Sequence, residues 1–333
     1  MLVNYIIKRT LQLIPLLVAI SIVIFIIIQL PPGDYITTYI YQQERSGLEV
    51  NQAAVSNMIR RYGLDKPAYQ QYLYWIKGII TNLDFGHSMQ WSLPVKQILE
   101  ERIPATIGIA LLTLVVTWGV SIPIGIYSAT RQYSFGDYLF IFIGFIGLAV
   151  PGFLLALTTI YYVFVNTGVS LTGLYSAEYV NAAWSWAKVV DMLPRLGLVV
   201  FIVGLSQTAG LIRQMRAMLL DELQKQYVIT ARAKGLEEKK LLWKYPIRMA
   251  VNPMVSTIGW VLPGLISGEM VVSIVLSMPT MGPIVRRALI AQDMYLAGSF
   301  LLIVSALTVV GTLISDILLA VIDPRIRFGG VSE

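Results

Sequence analysis

The side chains that most often carry chemistry in proteins are sparse in this sequence. It has 333 residues, a single histidine, His87, and no cysteine. One histidine cannot provide the three or four ligands that a zinc site needs. A serine triad would require that same histidine, and no G-x-S-x-G stretch occurs. We therefore expect neither a metal site nor a hydrolase, and without cysteine neither disulfide nor thiol chemistry is available.

A motif for ATP binding is also missing. No G-x-x-x-x-G-K-[ST] stretch occurs, so the sequence offers no glycine-rich loop that could hold the phosphates of ATP. An ATP-driven process would need a separate subunit for hydrolysis. We expect a non-catalytic chain that carries no cofactor of its own.

One acidic residue stands in an apolar run and is a candidate functional residue. Glu269 lies in LISGEMVVSIVL, where an ionisable side chain costs about 2.5–3.5 kcal/mol or more unless it faces partners or water. Ser273 follows one helical turn later and would share its face. We expect both to line a translocation pathway, and the alternative is a structural hydrogen bond from Glu269 to a neighbouring helix.

The segment Gln226–Ala250, QYVITARAKGLEEKKLLWKYPIRMA, is basic and separates two apolar runs. Gly235 is suited to end a helix in a left-handed cap. The pattern predicts a short helix from about Tyr227 to Lys234, a break at the glycine, and a second helix from Glu237. Small side chains on such a helix would let a partner approach closely. The alternative is an ordinary basic connector.

The composition indicates the elements that must position these residues. Hydrophobic residues make up 56% of the chain and charged residues 13%, with a mean hydropathy of +0.69, which is typical of a polytopic membrane protein. Six apolar runs are long enough to cross the bilayer as helices. They lie near Leu11–Leu30, Ala105–Ala129, Tyr138–Asn166, Pro194–Leu219, Pro253–Ser277 and Ser299–Val321.

Three proline sites predict interruptions inside these runs: Pro123, Pro151 with Gly152, and Pro263 with Gly264. The first run is too long for a secretory signal and is followed by PPGDY, which is not a cleavage site, so we interpret it as an uncleaved anchor.

The basic residues predict the orientation. Lys8, Arg9, Arg131, nine residues from Arg213 to Arg248, and the tail arginines Arg325 and Arg327 would lie inside, which places both termini in the cytoplasm. This asymmetry accounts for the formal charge of +6, and we expect no nucleic-acid partner.

The residues between the first two runs, and the last acidic residues, predict local features. Pro67 fits a first helical turn with Asp65 as its cap. Trp75 and the neighbouring tyrosines, Tyr69, Tyr72 and Tyr74, would meet the membrane interface or a partner protein. Asp316 is expected to cap a helix or to pair near Arg325, and Asp323 to form a turn.

Several stretches together resemble one family. YVITARAKGL is similar to the coupling-loop motif of permease subunits of ATP-binding-cassette (ABC) importers, in the form found in the oligopeptide, dipeptide and nickel group. Further similar stretches fall in that family's order and spacing: RTLQLIPLLVAISIVIFIIIQLPPGD, YGLDKPAYQQYLYWIKGI, ERIPATIGIALL, PIGIYSA and LLAVIDPRIR. The resemblance covers nearly the whole chain and implies an all-α, type I importer permease bundle of six transmembrane helices.

The resemblance implies that Ala231, Ala233 and Gly235 belong to a coupling helix seated on an ATPase subunit. The candidate docking residues are Tyr227, Ala231, Ala233, Lys234, Gly235 and Leu236. Ile229 stands near the position where the general motif begins with glutamate, and Tyr245 to Arg248 replace its closing Ile-x-Leu-Pro. No salt bridge through that glutamate is therefore expected.

The implied partners are a homologous second permease, one or two ATPase subunits that bind ATP and Mg, and an extracellular or periplasmic solute-binding protein. The implied location is a prokaryotic plasma (inner) membrane. The expected domains are the N-terminal end with the first span, an outer segment, a permease core with its coupling loop at 221–252, and a cytoplasmic tail. Their bounds are 1–31, 32–104, 105–321 and 322–333.

The cargo and the energy source leave alternatives. The group includes importers of peptides, nickel complexes and oligosaccharides, and the aromatic outer stretch NAAWSWAKV favours short oligosaccharides over oligopeptides unless it is an interface belt. An ion-gradient-driven secondary transporter acting alone would need paired ionisable residues in midspan and internal symmetry, and only Glu269 approaches the first requirement. A membrane enzyme would need a reactive constellation that these residues do not form.

Overall fold

The computed structural model describes residues 2–47 and 49–322, and over these ranges the protein is all-α. The prediction of an all-α fold is confirmed. A single isolated bridge, between His87 and Pro94, is the only strand-like pairing in the described ranges. The α-helices are α1 (Leu2–Gln29), α2 (Tyr35–Arg45), α3 (Gln52–Tyr62), α4 (Ala68–Asn82), α5 (Val95–Thr130), α6 (Phe135–Ala149), α7 (Gly152–Thr167), α8 (Trp186–Leu223), α9 (Gln226–Ala233), α10 (Glu238–Lys244), α11 (Pro246–Ser256), α12 (Ile258–Val275), α13 (Met281–Ile290) and α14 (Met294–Ile322), with a 3₁₀ turn at Ala177–Tyr179.

Four helices are each long and apolar enough to cross a membrane, and two bent pairs raise the number to six if each pair is one span. The four lie within α1, α5, α8 and α14. The bent pairs are α6 with α7, at 97°, and α10–α11 with α12, at 61°. If each bent pair is one span, the structure has the six predicted spans, with the third and the fifth broken rather than straight.

The break in the third run lies where the sequence predicts it. Val150 has an extended backbone, and Pro151 follows before α7 begins at Gly152. A residue before proline is pushed out of the helical region, so α6 must end here. The other two prolines do not end a helix as predicted. Helix α5 continues through Pro123, and α12 continues through Pro263. The fifth run breaks instead at Thr257, between α11 and α12.

The described residues form two compact units. The first unit comprises the described parts of Met1–Arg9, Ile107–Pro279 and Thr308–Glu333. Its buried cluster joins α5, α8 and α11, and the α8 members recur every four residues, which places them on one face. The members are Ala129, Leu211, Met215, Leu219, Ile247, Ala250 and Met254. This cluster packs α11 along the C-terminal half of α8.

Ion pairs fix two further helix ends in this unit. Arg216 of α8 donates to both carboxylate oxygens of Asp137 near the start of α6, at 3.1 and 3.0 Å. Arg9 of α1 lies 2.6 Å from Asp316 of α14. Arg9 is therefore a partner of Asp316, and the expected pairing of Asp316 near Arg325 stays a prediction. Arg325 and the predicted turn at Asp323 lie outside the described residues.

The second unit comprises Thr10–Thr106 and Thr280–Leu307. Asp34 caps α2 by accepting from the Thr37 N–H at 2.8 Å. The predicted cap at Asp65 is wrong, since Pro67 occupies the cap position of α4 without a side-chain hydrogen bond. Trp75 is buried and stacks on Phe25 rather than meeting a partner or the membrane interface.

Contacts across the second unit hold its loop after α4. Asp293, fully buried before α14, accepts a hydrogen bond from the Ser88 hydroxyl at 2.5 Å and one from the Gln90 N–H at 3.1 Å. Tyr295 donates through its hydroxyl to the carbonyl oxygen of Tyr62 at 3.0 Å. Residues far apart in the sequence therefore shape this part of the chain. The sequence-based division into four domains stays a prediction.

Gly259 allows α12 and α14 to approach closely inside the first unit. A Cβ atom at this position would lie 2.7 Å from the Cα of Thr312, which is backbone and cannot rotate away. Small residues at such crossings are how membrane helices gain packing energy without a hydrophobic driving force.

We predict that Gly259→Ala destabilises the protein by about 1–3 kcal/mol, because the new methyl group forces the two backbones apart. The matched control is Gly268→Ala on the same helix, where a Cβ would make an ordinary contact at 3.5 Å with Val203. Thermal unfolding in detergent should separate the two variants. Equal melting temperatures would contradict the close approach.

Candidate functional site

The segment between α8 and α11 folds as the sequence predicts. Helix α9 ends at Ala233, Gly235 has a φ of +78°, and α10 begins at Glu238. The Leu236 N–H donates to the carbonyl oxygen of Ala231 at 3.3 Å, and the Gly235 N–H donates to that of Arg232 at 3.0 Å. These two bonds form the Schellman arrangement that ends helices with a left-handed glycine. The turn therefore depends on this glycine.

An ion pair spans the turn. Arg232 on α9 donates from Nε and a terminal nitrogen to the two carboxylate oxygens of Glu238 on α10, at 3.0 and 2.6 Å. A guanidinium that meets a carboxylate through two parallel bonds fixes direction as well as distance. The pair is exposed, so it holds the relative orientation of the two helices and adds little to global stability.

Two buried side chains anchor the helix pair, and sequence reasoning missed both. Val228 on α9 and Leu241 on α10 are fully buried. Each is the buried residue of its helix. Ile229 and Trp243 are apolar as well and stay exposed, so residue type alone does not single out the two anchors. Because each short helix buries one side chain, the remaining faces stay exposed.

Tyr227 has a structural contact at the start of α9. Its ring lies 6.3 Å from that of Tyr245, and its hydroxyl donates to the Glu222 carboxylate at the end of α8. Burial, and after it the hydrogen bond to Glu222, raise the pKa of Tyr227, so the phenol stays protonated and keeps this bond. Tyr227 thus ties α9 to both neighbouring elements.

The other predicted docking residues form one small-residue surface. Ala233, Lys234 and Gly235 are exposed, while Ala231 and Leu236 are half-buried. Among the described residues, apart from the glycine and its two chain neighbours, no heavy atom lies within 4 Å of the position that a Gly235 Cβ would take. The structure therefore brings the predicted set together around the turn, which we call the coupling turn (residues 226–244).

Both ends of the coupling turn attach to the same packed pair of helices. Lys225 joins it to α8, where the Val228 and Ile229 N–H groups bond to the Lys225 carbonyl at 3.0 and 3.2 Å. At the other end Tyr245 leads directly into α11, which packs on α8 through the buried cluster. A force applied to α9 would therefore reach α8 and α11 together.

The two predicted pathway residues lie apart from this surface. Glu269 and Ser273 are fully buried in α12, and the Ser273 hydroxyl donates to the Met270 carbonyl at 2.9 Å. Helix α12 packs against α7 and α8. That these residues line a pathway stays a prediction.

His87, the remaining sequence candidate, is exposed in the loop that follows α4. In residues 2–47 and 49–322, no three histidine, aspartate or glutamate side chains gather in a group that could hold a metal ion.

We predict that Gly235→Val loosens the coupling turn, because left-handed backbone costs an ordinary L-residue about 1–2 kcal/mol. Gly235→Asn should be milder, since asparagine tolerates this conformation and the space for its Cβ is open. Hydrogen exchange of the amides of residues 226–244 measures the difference. Identical exchange in the two variants would mean that φ at this position is not limiting.

We also predict that Arg232→Glu increases amide exchange in the coupling turn a few-fold, because two carboxylates would then face each other across it. Glu238→Arg should act similarly through two guanidinium groups. The double variant restores an ion pair of reversed polarity and should recover protection. If the double variant exchanges as fast as the single ones, the pair does not orient the helices.

A chain with several bilayer-length helices and a short exposed helix pair inserted between two of them has the architecture of an integral membrane protein. Residues 121–328 match the model described as "Binding-protein-dependent transport system inner membrane component", and residues 1–110 match its N-terminal companion, "Binding-prot-dependent transport system membrane comp, N-term". The chain belongs to this family, the permease subunits of ABC importers.

Curated relatives agree with this assignment over almost the full length. The chain is similar to the oligopeptide transport system permease protein AppB of Bacillus subtilis, with 36% identity over 97% of this chain and 99% of that protein. It is 31% identical to a putative peptide permease protein of Brucella ovis, with the same coverages. It is 28% identical to the dipeptide transport system permease protein DppB of Alkalihalophilus pseudofirmus, over 97% and 99% of the two chains.

Proposed function

We propose that this permease drives uptake by docking the coupling turn onto an ATPase subunit, which moves α8 and α11 when it binds and hydrolyses ATP. The observation that carries the proposal is the exposed coupling turn, in which a left-handed glycine separates α9 from α10 and whose two ends lead into the packed helices α8 and α11. The sequence has no phosphate-binding loop, so ATP and Mg would be bound by the partner. A second permease subunit and a solute-binding protein complete the proposed assembly.

The proposed orientation places the coupling turn in the cytoplasm. The basic residues of this segment outnumber those of the short loops on the opposite side, as the positive-inside rule requires. The Arg9–Asp316 pair brings the N-terminal end of α1 and the C-terminal part of α14 together, which supports termini on one side. We place both in the cytoplasm of a prokaryotic cell.

The proposed cargo is a short peptide. The relatives named above are described as oligopeptide, peptide and dipeptide permeases. The expectation of short oligosaccharides was based on aromatic residues of an outer loop. The descriptions of these relatives mention peptides and no sugar. Glu269 and Ser273 are the proposed pathway residues, reached by cargo when the bundle changes state.

We predict that Ala233→Trp abolishes ATP-driven peptide uptake in proteoliposomes that contain the purified complex. The indole would project from an exposed position of α9 and prevent close approach of the ATPase. The matched control is Ala183→Trp, the same substitution at an exposed alanine between α7 and α8, which should transport normally.

The amount of ATPase subunit that co-purifies in mild detergent is the second readout, and it should fall for Ala233→Trp alone. Normal uptake by Ala233→Trp would remove the docking role from this surface. Uptake by the single chain without any ATPase would favour a secondary transporter driven by an ion gradient.

A further inference from the structure

Helix α4 of the second unit has an exposed side made of large apolar side chains. They recur at spacings of four, three and four residues, as Tyr69, Leu73, Ile76 and Ile80. Because an α-helix turns by about 100° per residue, these spacings place them in one line along the helix, which we call the apolar stripe. Tyr69, Leu73 and Ile80 are 63%, 57% and 74% exposed, and Ile76 is half-buried.

A line of polar groups runs beside the apolar stripe, one residue further along the chain at each step. This polar stripe consists of Gln70, Tyr74, Lys77 and Thr81, all of them exposed. The Lys66 ammonium lies 5.2 Å from the centroid of the Tyr74 ring and adds a second positive charge to this side. The exposed surface of α4 is therefore divided lengthwise, which is the pattern of a helix that lies between hydrocarbon and water.

The buried side of α4 packs on two helices that are long enough to cross a membrane. Trp75 stacks on Phe25 of α1, with 6.1 Å between the ring centroids. It also lies against Gly298 of α14, where a Cβ atom would be 3.4 Å from the indole ring. Phe25 and Gly298 both lie inside the apolar, bilayer-length stretches of their helices. Helix α4 therefore contacts a part of this unit that the bilayer surrounds.

Two hydrogen bonds to α1 show which side of α4 faces the middle of the bilayer. Tyr72, which borders the apolar stripe, bonds through its hydroxyl to that of Ser21 at 2.8 Å. Gln71, which borders the polar stripe, accepts from the side-chain amide of Gln29 at 3.3 Å. Gln29 is the last residue of the α1 span, and Ser21 lies about 12 Å further in along the helix. The apolar stripe is therefore on the side towards the hydrocarbon, and the polar stripe is on the side towards water.

We propose that α4 lies in the membrane interface, where the acyl chains of one leaflet cover the apolar stripe. The exposed apolar surface of α1 leads to it, because Val18 and Ile22 are exposed on either side of Ser21. The lysines of the opposite side would then meet lipid phosphates or water. The proposal goes beyond the proposed function, since it concerns neither ATPase docking nor cargo.

Water and a protein partner are the alternatives to lipid. A continuous line of large aliphatic side chains is unfavourable in water. A soluble partner would approach from the water, and on that side α4 presents its polar stripe. A second permease subunit inside the bilayer is the other candidate cover, and the test distinguishes it from lipid.

The test places a nitroxide spin label at single cysteines. Because the chain has no cysteine of its own, each variant carries the label at one position only. Leu73→Cys and Ile80→Cys probe the apolar stripe, and Gln70→Cys and Lys77→Cys are matched controls in the polar stripe of the same helix. Ile26→Cys, at an exposed position of the α1 span, is the reference for a label that faces lipid. All five side chains are exposed, so the label displaces no packed neighbour.

Power saturation of the electron paramagnetic resonance signal measures how often each label collides with oxygen, which is enriched in hydrocarbon, and with a water-soluble nickel chelate. The protein is the full chain with the subunits that accompany it in mild detergent, held in nanodiscs of phosphatidylethanolamine and phosphatidylglycerol. We expect the ratio of oxygen to nickel collisions in the apolar stripe to be several-fold higher than in the polar stripe. It should also be close to the ratio for Ile26→Cys.

Two results would overturn the proposal. Nickel collisions as frequent in the apolar stripe as in the polar stripe would mean that both sides of α4 face water. Labels in the apolar stripe that are shielded from oxygen and nickel alike would mean that another subunit covers it.

Discussion

A backbone that crosses hydrocarbon must satisfy its own polar groups, and the rest of this structure follows from that constraint. In the part of the chain that the structure describes, the third apolar run is interrupted at Val150 and Pro151 and the fifth at Thr257, and helices form on either side of each break. The coupling turn can be short because the Schellman bonds at Gly235 satisfy the carbonyl groups at the end of α9. A helix end that needs no other partner is free to present its exposed face to another protein.

For the proposed docking, the attachment of the coupling turn to two helices that pack on each other is as important as the shape of the turn. The buried cluster makes α8 and α11 one packed element, and a dense core transmits displacement rather than absorbing it. The Arg216–Asp137 pair extends this element to α6. Under the proposed docking, movement of α9 would have a packed path to α8 and α11 and, through this ion pair, to α6. A loop attached to a single helix would lack such a path.

The sequence predicted local features and missed those that depend on tertiary contacts. Gly235 and Pro151 act on their own neighbours, so their effects were readable from residue type alone. The break at Thr257 and the uninterrupted path of α12 through Pro263 were not predicted, because residue type alone does not decide where a membrane helix containing proline is interrupted. Arg9 and Asp316 are 307 residues apart, and no periodicity relates them.

The same difference between local and tertiary determinants separates the docking residues from the loop that follows α4. The docking residues lie within ten positions of one another, and a local motif places them on one surface. The loop after α4 instead depends on residues far along the chain, because Gly86 packs against Tyr295 and the Asp293 carboxylate accepts from the Ser88 hydroxyl. Tyr74 and Trp75 in the sequence predict only an interfacial pair. The fold separates them, because Trp75 is buried against Phe25 while Tyr74 stays exposed, and only the position of Phe25 on another helix decides which of the two aromatic rings leaves the surface.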